Sequence, residues 1–315
     1  MNLIIYMPAY NEGENIKQVI ASLPCELEKV DLIQYLVIDD GSTDTTAQLA
    51  LACGAQVIFH NRNRGVGAAF QTAVQFALEN DADILVSIDA DGQFNPEEIP
   101  GLIQPIIAKD ADMVIGNRFA AGKPEYMSRV KYWGNQKVAQ LVRQICNQNF
   151  TDVSCGFRAY NREALLRLNI FGRFTYTHET ILSLVYQDLR VKELPVQVRY
   201  YPERKSRVAE SIPHYAVQVS KIILRVVLDY RPMRVFGTLG AAFVIIGCAF
   251  ELFLFGHYAL YHDFSPYKNT GFIGLGFIIF GMLVLLVALI TDMLNRLRIN
   301  QDKLLYEIKK ARYGK

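Results

Sequence analysis

The chain reads as an α/β protein with a mostly parallel sheet, followed by an amphipathic stretch and a C-terminal pair of membrane-spanning helices. Three observations predict this. Five short apolar runs alternate with helical patterns over the first 117 residues, which is the signature of βαβ units. Polar clusters fall at the ends of those runs, where an open parallel sheet gathers its ligand site. The last third holds two apolar segments, roughly 235–255 and 271–290, each long enough at about 1.5 Å per residue to cross a ~30 Å hydrocarbon core.

Taken in order, residues 2–7 are an apolar strand that Pro8 and Asn11 turn into a helix over 15–23. A second strand, 33–38, runs into Asp39-Asp40-Gly41-Ser42-Thr43-Asp44, where Ser42 or Thr43 is expected to cap the helix that ends near Ala52. Strand three, 55–60, leads to Asn63-Arg64-Gly65-Val66-Gly67-Ala68-Ala69 and a helix to Leu78. Strand four, 84–88, ends in Asp89-Ala90-Asp91-Gly92-Gln93. A helix over 96–107 has proline in its first turn. Strand five, 112–116, ends in Asn117-Arg118. Helical patterns return over 127–145 and 177–186, with a β-rich stretch over 191–201.

Asp89 and Asp91 lie one residue apart, so they point the same way if the backbone stays extended. Two hard oxygen ligands with open positions suit Mg²⁺ or Mn²⁺, which keep waters and take further oxygens from a phosphate-bearing substrate. A lone Asp-x-Asp is also a common polar turn, and the surrounding clusters favour the metal reading here.

Net charge is only +2 but it is segregated: residues 211–315 hold 12 Lys and Arg against 6 Asp and Glu. A near-neutral front with a basic, apolar back does not suit a nucleic-acid binder; it suits a domain mounted on a membrane. Residues 211–232 carry Ile212, Val219, Ile222, Ile223 and Val226 among Lys221 and Arg225 at helical spacing, as an interfacial helix would. Basic residues flank both apolar segments, while the loop 256–270 offers only Lys268. The positive-inside rule then puts residues 1–210 and a basic tail, 293–315, in the cytoplasm, with a hairpin over 233–292 between them. Glu251 reads as interfacial. Cys25, Cys53, Cys146, Cys155 and Cys248 have no metal-site spacing and read as reduced thiols. The amino terminus reads as a strand, without the basic and apolar regions of a signal peptide.

The four clusters Pro8–Glu12, Asp39–Asp44, Asn63–Ala69 and Asp89–Gln93, with Asp152–Tyr160 and the terminal hairpin, resemble the family-2 inverting glycosyltransferases of GT-A, Rossmann-like fold. Among these the chain is similar to polyprenyl-phosphate glycosyltransferases such as bactoprenol glucosyltransferases and dolichyl-phosphate mannose synthase. The resemblance implies transfer of a hexose from a nucleotide sugar, UDP-glucose first and GDP-mannose as the alternative, to polyprenyl phosphate on the cytoplasmic leaflet. It implies that Pro8, Tyr10, Glu12, Asp40 and Gly65 line the nucleotide pocket, with Asp39 near the base, and that Asp89, Asp91 and Gln93 hold Mg²⁺ or Mn²⁺ on the diphosphate. Arg118 with Arg129 or Lys131 would receive the acceptor phosphate, Asp152 would stand near it, and Arg204, Lys205 and Arg207 would form a basic loop beside the phosphates. His178 and Glu179 stay open between structural and site roles. The implied partners are the nucleotide sugar, polyprenyl phosphate and membrane lipids, with no nucleic acid, room for a homo-oligomer, and a flippase or a lipid-linked-sugar transferase downstream.

Three other classes fit less well. Trp133 sits in Tyr132-Trp133-Gly134-Asn135, without the Gln-x-x-Arg-Trp motif of processive polysaccharide synthases. The first turn lacks the glycine-rich start of nucleotidylyltransferases. A lipid-binding scaffold would not need the carboxylate pair.

Overall fold

Seven strands form one sheet in the computed structural model, which describes residues 1–169, 176–200, 228 and 232–314. The strands are β1 (Asn2–Ala9), β2 (Leu32–Asp39), β3 (Gln56–Phe59), β4 (Ile84–Ser87), β5 (Met113–Asn117), β6 (Arg158–Asn161) and β7 (Val191–Pro195), in the order β3-β2-β1-β4-β6-β5-β7. All neighbours run parallel except β6, which is antiparallel to both β4 and β5. The central strands β1, β4 and β5 are buried almost along their whole length. Burial on both faces is why they read as continuous apolar runs and not as alternating ones.

The helices of this unit are α1 (Ile16–Ala21), α2 (Thr46–Ala52), α3 (Val66–Glu79), α4 (Ile99–Ile107), α5 (Arg129–Cys146), α6 (Arg162–Arg167) and α7 (Thr177–Tyr186). The first turn expected of the fourth helix is instead a separate 3₁₀ turn, Pro96–Glu98, capped by the Asn95 side chain. The expected cap of α2 is also corrected. Thr45 is its N-cap residue and makes no side-chain cap bond. Ser42 Oγ instead accepts the Asn11 N–H at 2.9 Å, and Asp44 accepts the Thr46 N–H at 3.0 Å. The hydroxyl is diverted because the two turns after β1 and β2 are stitched together: the Thr43 N–H also donates to Asn11 Oδ1 and the Glu12 N–H to Thr46 Oγ1, each at 2.8 Å.

The chain divides into two compact units, Met1–Val219 with Asp302–Lys315, and Ser220–Gln301. The amphipathic stretch read over 211–232 falls almost wholly outside the described residues. The second unit contains α8 (Pro232–Tyr261, 30 residues) and most of α9 (Lys268–Tyr313, 46 residues). Both are long and apolar enough to cross a membrane. Their contact is built on small residues seven apart, Gly240 and Gly247 against Gly281 and Gly274. A Cβ at Gly247 would stand 2.6 Å from the Gly274 carbonyl oxygen, and one at Gly281 would stand 2.7 Å from Val244 Cγ2. Backbone approach of this kind is how apolar helices associate where water supplies no driving force. Gly247→Leu should therefore force the helices apart at a cost of about 1–3 kcal/mol. Thermal unfolding of the detergent-solubilised protein checks this; an unchanged midpoint would remove the glycine contact from the account.

Residues 293–313 continue α9 without a break. Its last turns belong to the first unit, where Tyr306 donates to Glu163 at 3.0 Å and Lys309 Nζ donates to the Leu168 carbonyl at 2.6 Å. The Arg167 guanidinium lies 4.5 Å over the Tyr306 ring.

Candidate active site

Parallel strands bring their carboxyl ends to one edge, so Tyr10, Asp40, His60, Asp89 and Arg118 follow β1 to β5 onto the same side of the sheet. The antiparallel β6 adds to that edge in the opposite sense. Its first residue, Arg158, is paired with Ser87 and Ile115, so the loop that precedes it, 152–157, lies at the same edge.

On one side the edge opens into a cavity of about 250 Å³ lined by Pro8, Tyr10, Glu12, Asp40, Gly65, Asp89 and Asp91 among others. Asp89 and Asp91 both line it, although β4 ends at Ser87 and Gly92 turns the chain with φ +72°. Burial raises the Asp89 carboxyl to about 7, with Asp91 beside it adding to the shift and Arg118 opposing it. Two carboxylates repelling one another in a cavity form a donor set that a hard divalent cation satisfies. Among the described residues no group of three or more His, Cys, Asp and Glu could hold a metal. Gln93 lies on an adjoining cavity that also includes Asp91; its backbone N–H donates to Asp91 Oδ1 at 3.0 Å.

Asp40 lines the cavity, yet its carboxylate is bound within the protein. It meets His60 Nδ1 at 2.6 Å and accepts the Arg64 and Gly65 N–H groups at 2.9 and 2.7 Å. It thus pins the turn that starts α3. Asp39 is buried and accepts the Ser42 N–H at 2.9 Å; the cavity does not include it among its walls. Gly41 stands between these turns with φ +80°, where a Cβ would lie 2.7 Å from the Arg62 carbonyl carbon.

On the other side stands Arg118. Its Nε and Nη2 donate to the two oxygens of Asp152 at 2.7 and 2.9 Å, Nη2 also to Ser154 Oγ at 2.7 Å, and Nη1 to Tyr200 Oη at 3.2 Å. The Asp152 side chain has 0% exposure and that of Arg118 has 12%. Fully buried, Asp152 holds the guanidinium in place. Burial works against the Asp152 carboxylate, but the Arg118 charge more than offsets this and keeps its pKa below the usual range. Of the two basic candidates on α5, Lys131 is half-buried and its pKa is lowered by burial and by the Arg118 charge. Arg129 is exposed on the helix surface. Arg204, Lys205 and Arg207 lie outside the described residues.

The sequence reading passed over the groups that hold this loop. Arg158 is fully buried; its guanidinium donates to the carbonyls of Cys155 at 2.6 Å, Val153 at 3.0 Å and Thr177 at 2.7 Å, and to Thr180 Oγ1 at 2.8 Å. It straps the 153–155 loop to the start of α7. Glu193 of β7 accepts the Thr151 and Asp152 N–H groups, both at 2.8 Å. His178 is buried, and burial followed by the Arg158 charge lowers its pKa to about 4, so it is neutral at pH 7.

The loop packs directly against Asp89. A Cβ at Gly156 would stand 2.9 and 3.0 Å from the two oxygens of Asp89. Gly156→Ala should therefore turn Asp89 out of line and lower turnover on the order of a hundredfold, while thermal stability falls far less. Steady-state kinetics beside a melting curve checks this; wild-type turnover would mean that the loop has room to yield.

The model described as glycosyl transferase family 2 matches residues 4–168. Glycosyltransferase AglJ of Haloferax volcanii is 27% identical over 308 residues, 96% of this chain and 97% of its own length. The undecaprenyl-phosphate mannosyltransferase of Micrococcus luteus is 29% identical over 54% of this chain and 70% of its own. Among solved structures, glucosyl-3-phosphoglycerate synthase from Mycobacterium tuberculosis, in complex with Mn²⁺, UDP-glucose and phosphoglyceric acid, has a TM-score of 0.55 at 22% identity, over 71% of this chain and 79% of that one. At that identity the likeness concerns the fold.

Proposed function

The chain belongs to glycosyl transferase family 2, and from that premise we propose that it moves a hexose from a nucleotide sugar to polyprenyl phosphate at the cytoplasmic face of a membrane. The observation that carries the proposal is the opposition of charges at one sheet edge. The Asp89–Asp91 pair lines one cavity, and Arg118 is close enough to Asp89 to oppose the rise in its pKa. An anionic donor and an anionic acceptor both need compensation, and the two groups of residues divide that work.

In the transfer, an oxygen of the acceptor phosphate bonds to C1 of the sugar while the bond from C1 to the donor's β-phosphate breaks, and its electron pair leaves with the nucleoside diphosphate. Asp89 and Asp91 would hold Mg²⁺ or Mn²⁺, which supplies neutralisation of the charge that develops on the diphosphate. A phosphate monoester has a second pKa near ~6 and is already ionised at pH 7. No side chain has to take a proton from it, and Arg118 and Lys131 need only hold it in line. Asp152 keeps Arg118 aimed and charged.

The basic flanks of the two apolar helices support the cytoplasmic orientation. UDP-glucose is the donor we take first, because the two-helix hairpin resembles that of bactoprenol glucosyltransferases. The mannosyltransferase relative supports mannose equally, with GDP-mannose as the alternative donor. The test is a screen of radiolabelled nucleotide sugars with the full-length protein in vesicles containing polyprenyl phosphate. Label in a butanol-extractable lipid from one donor is expected, and its donor names the sugar. Label in a long polymer, or in no lipid with any donor, would overturn the proposal.

A further inference from the structure

Beyond its long apolar segment, α9 carries a second apolar pattern. From Ile290 onward, Leu294, Leu297, Gln301, Leu304, Ile308 and Ala311 recur at alternating steps of four and three residues. That is the a and d spacing of a heptad, with one polar residue, Gln301, at an a position. The stripe is turned outward: Leu294 and Leu297 are each 57% exposed, Leu304 64% and Ile308 55%. Ile308 borders a groove beside α3 and still keeps that exposure. The tail binds its own unit through Tyr306 and Lys309, which lie on another side of the helix. Four large apolar side chains in line on an exposed helix face call for a partner.

Lipid does not cover the far end of this stripe. At 1.5 Å per residue, Leu304 lies about 20 Å along the axis from Ile290, and a headgroup layer is roughly 5–7 Å deep. A second copy of the chain fits it. With both apolar helices spanning, basic flanks inward, every copy enters the cytoplasm in the same orientation, so equivalent stripes meet in parallel. In a parallel pair the g position of one helix faces the next e position of the other, five residues on. Here those pairs are Met293 with Arg298, Asn300 with Leu305, and Glu307 with Arg312. None sets like charges together. The last joins a carboxylate to a guanidinium, twice by symmetry, and both residues are exposed. A single polar residue among apolar a positions, as Gln301 is, fixes the register of such a pair.

We propose that this stripe is the seam of a parallel coiled coil with α9 of a second copy, which joins two copies of the enzyme through their tails. The experiment places full-length protein, one fluorophore per chain, in phospholipid vesicles and counts photobleaching steps. Two steps are expected for wild type and one for Leu304→Lys, a change at an exposed position that leaves the chain's own packing alone. Single reversals, Glu307→Arg or Arg312→Glu, set like charges opposite one another twice and should raise the dissociation constant about tenfold. The double reversal should return it to within about twofold of wild type. Residues five apart on one helix do not face each other, so this rescue reports a contact between copies. Oxidative cross-linking checks the register. Gln301→Cys should give a linked dimer well above the level from the native cysteines, and Lys303→Cys, outside the seam, should not.

One step for wild type would overturn the proposal. Two steps that persist in Leu304→Lys would equally overturn it, since the copies would then meet elsewhere. Single reversals that weaken pairing without rescue by the double reversal would overturn the parallel seam. So would a Lys303→Cys cross-link as strong as that of Gln301→Cys.

Discussion

Asp89→Asn and Asp91→Asn are each expected to lower transfer on the order of a hundred- to a thousandfold or more while leaving the melting curve close to wild type. The substitution is nearly isosteric, so it changes charge and not packing. Asp89 lies between buried Ile88 and buried Ala90, in a cavity whose other walls come from the end of β1, the turns after β1, β2 and β3, and the start of α3. The carboxylates do no packing that asparagine could not do. What is lost is the negative charge that would hold a divalent cation against the leaving diphosphate, and electrostatic groups aimed at developing charge are usually worth this much. Turnover with and without chelator, in wild type and both variants, is the check. Wild-type turnover under chelation would remove the metal from the account and make the pair a polar turn.

The second large effect concerns stability and turnover together. Removing one partner of the buried Arg118–Asp152 pair should cost about 3–5 kcal/mol, because the other charge stays buried and uncompensated. Asp152 has no exposed side-chain surface, so it has no water to fall back on. Arg118→Met and Asp152→Leu should each lower the thermal midpoint, and the double variant should recover most of the loss, since two apolar side chains replace two charges. Transfer should not recover. Without the guanidinium the acceptor phosphate loses a charge-assisted partner worth about 1.5–3 kcal/mol, roughly ten- to a hundredfold in rate, while donor binding measured by calorimetry stays unchanged. A double variant that regains both stability and transfer would make the pair purely structural. Equal losses in donor and acceptor use would move Arg118 to the donor side.

Much of this was legible in the sequence for one physical reason. Strands buried on both faces leave unbroken apolar runs, so β1, β2, β4 and β5 stand out, and the polar clusters at their ends are then forced to one edge. β6 was not legible. Its four residues, Arg158-Ala159-Tyr160-Asn161, show no apolar run, and its antiparallel insertion between β4 and β5 is a fact of topology that no local pattern carries. That insertion is what brings Asp152 and Gly156 to the site. The partnership of Asp152 with Arg118 spans 34 residues, and sequence alone left Asp152 as a polar group near the acceptor. The same limit applies to Asp40, whose carboxylate is taken up by His60 and the Arg64-Gly65 turn. It applies also to Lys131 and Arg129, which look alike in the sequence and differ only in which side of α5 they occupy.

In the proposed reaction a sugar, and not a sugar phosphate, passes to a lipid phosphate. A single-turnover reaction with polyprenyl phosphate labelled in its phosphorus and the nucleotide sugar labelled in its sugar tests it most directly. The expected result is one lipid product carrying both labels with a single phosphorus, and release of the nucleotide as its diphosphate. Release of the nucleoside monophosphate with a lipid diphosphate product would contradict it.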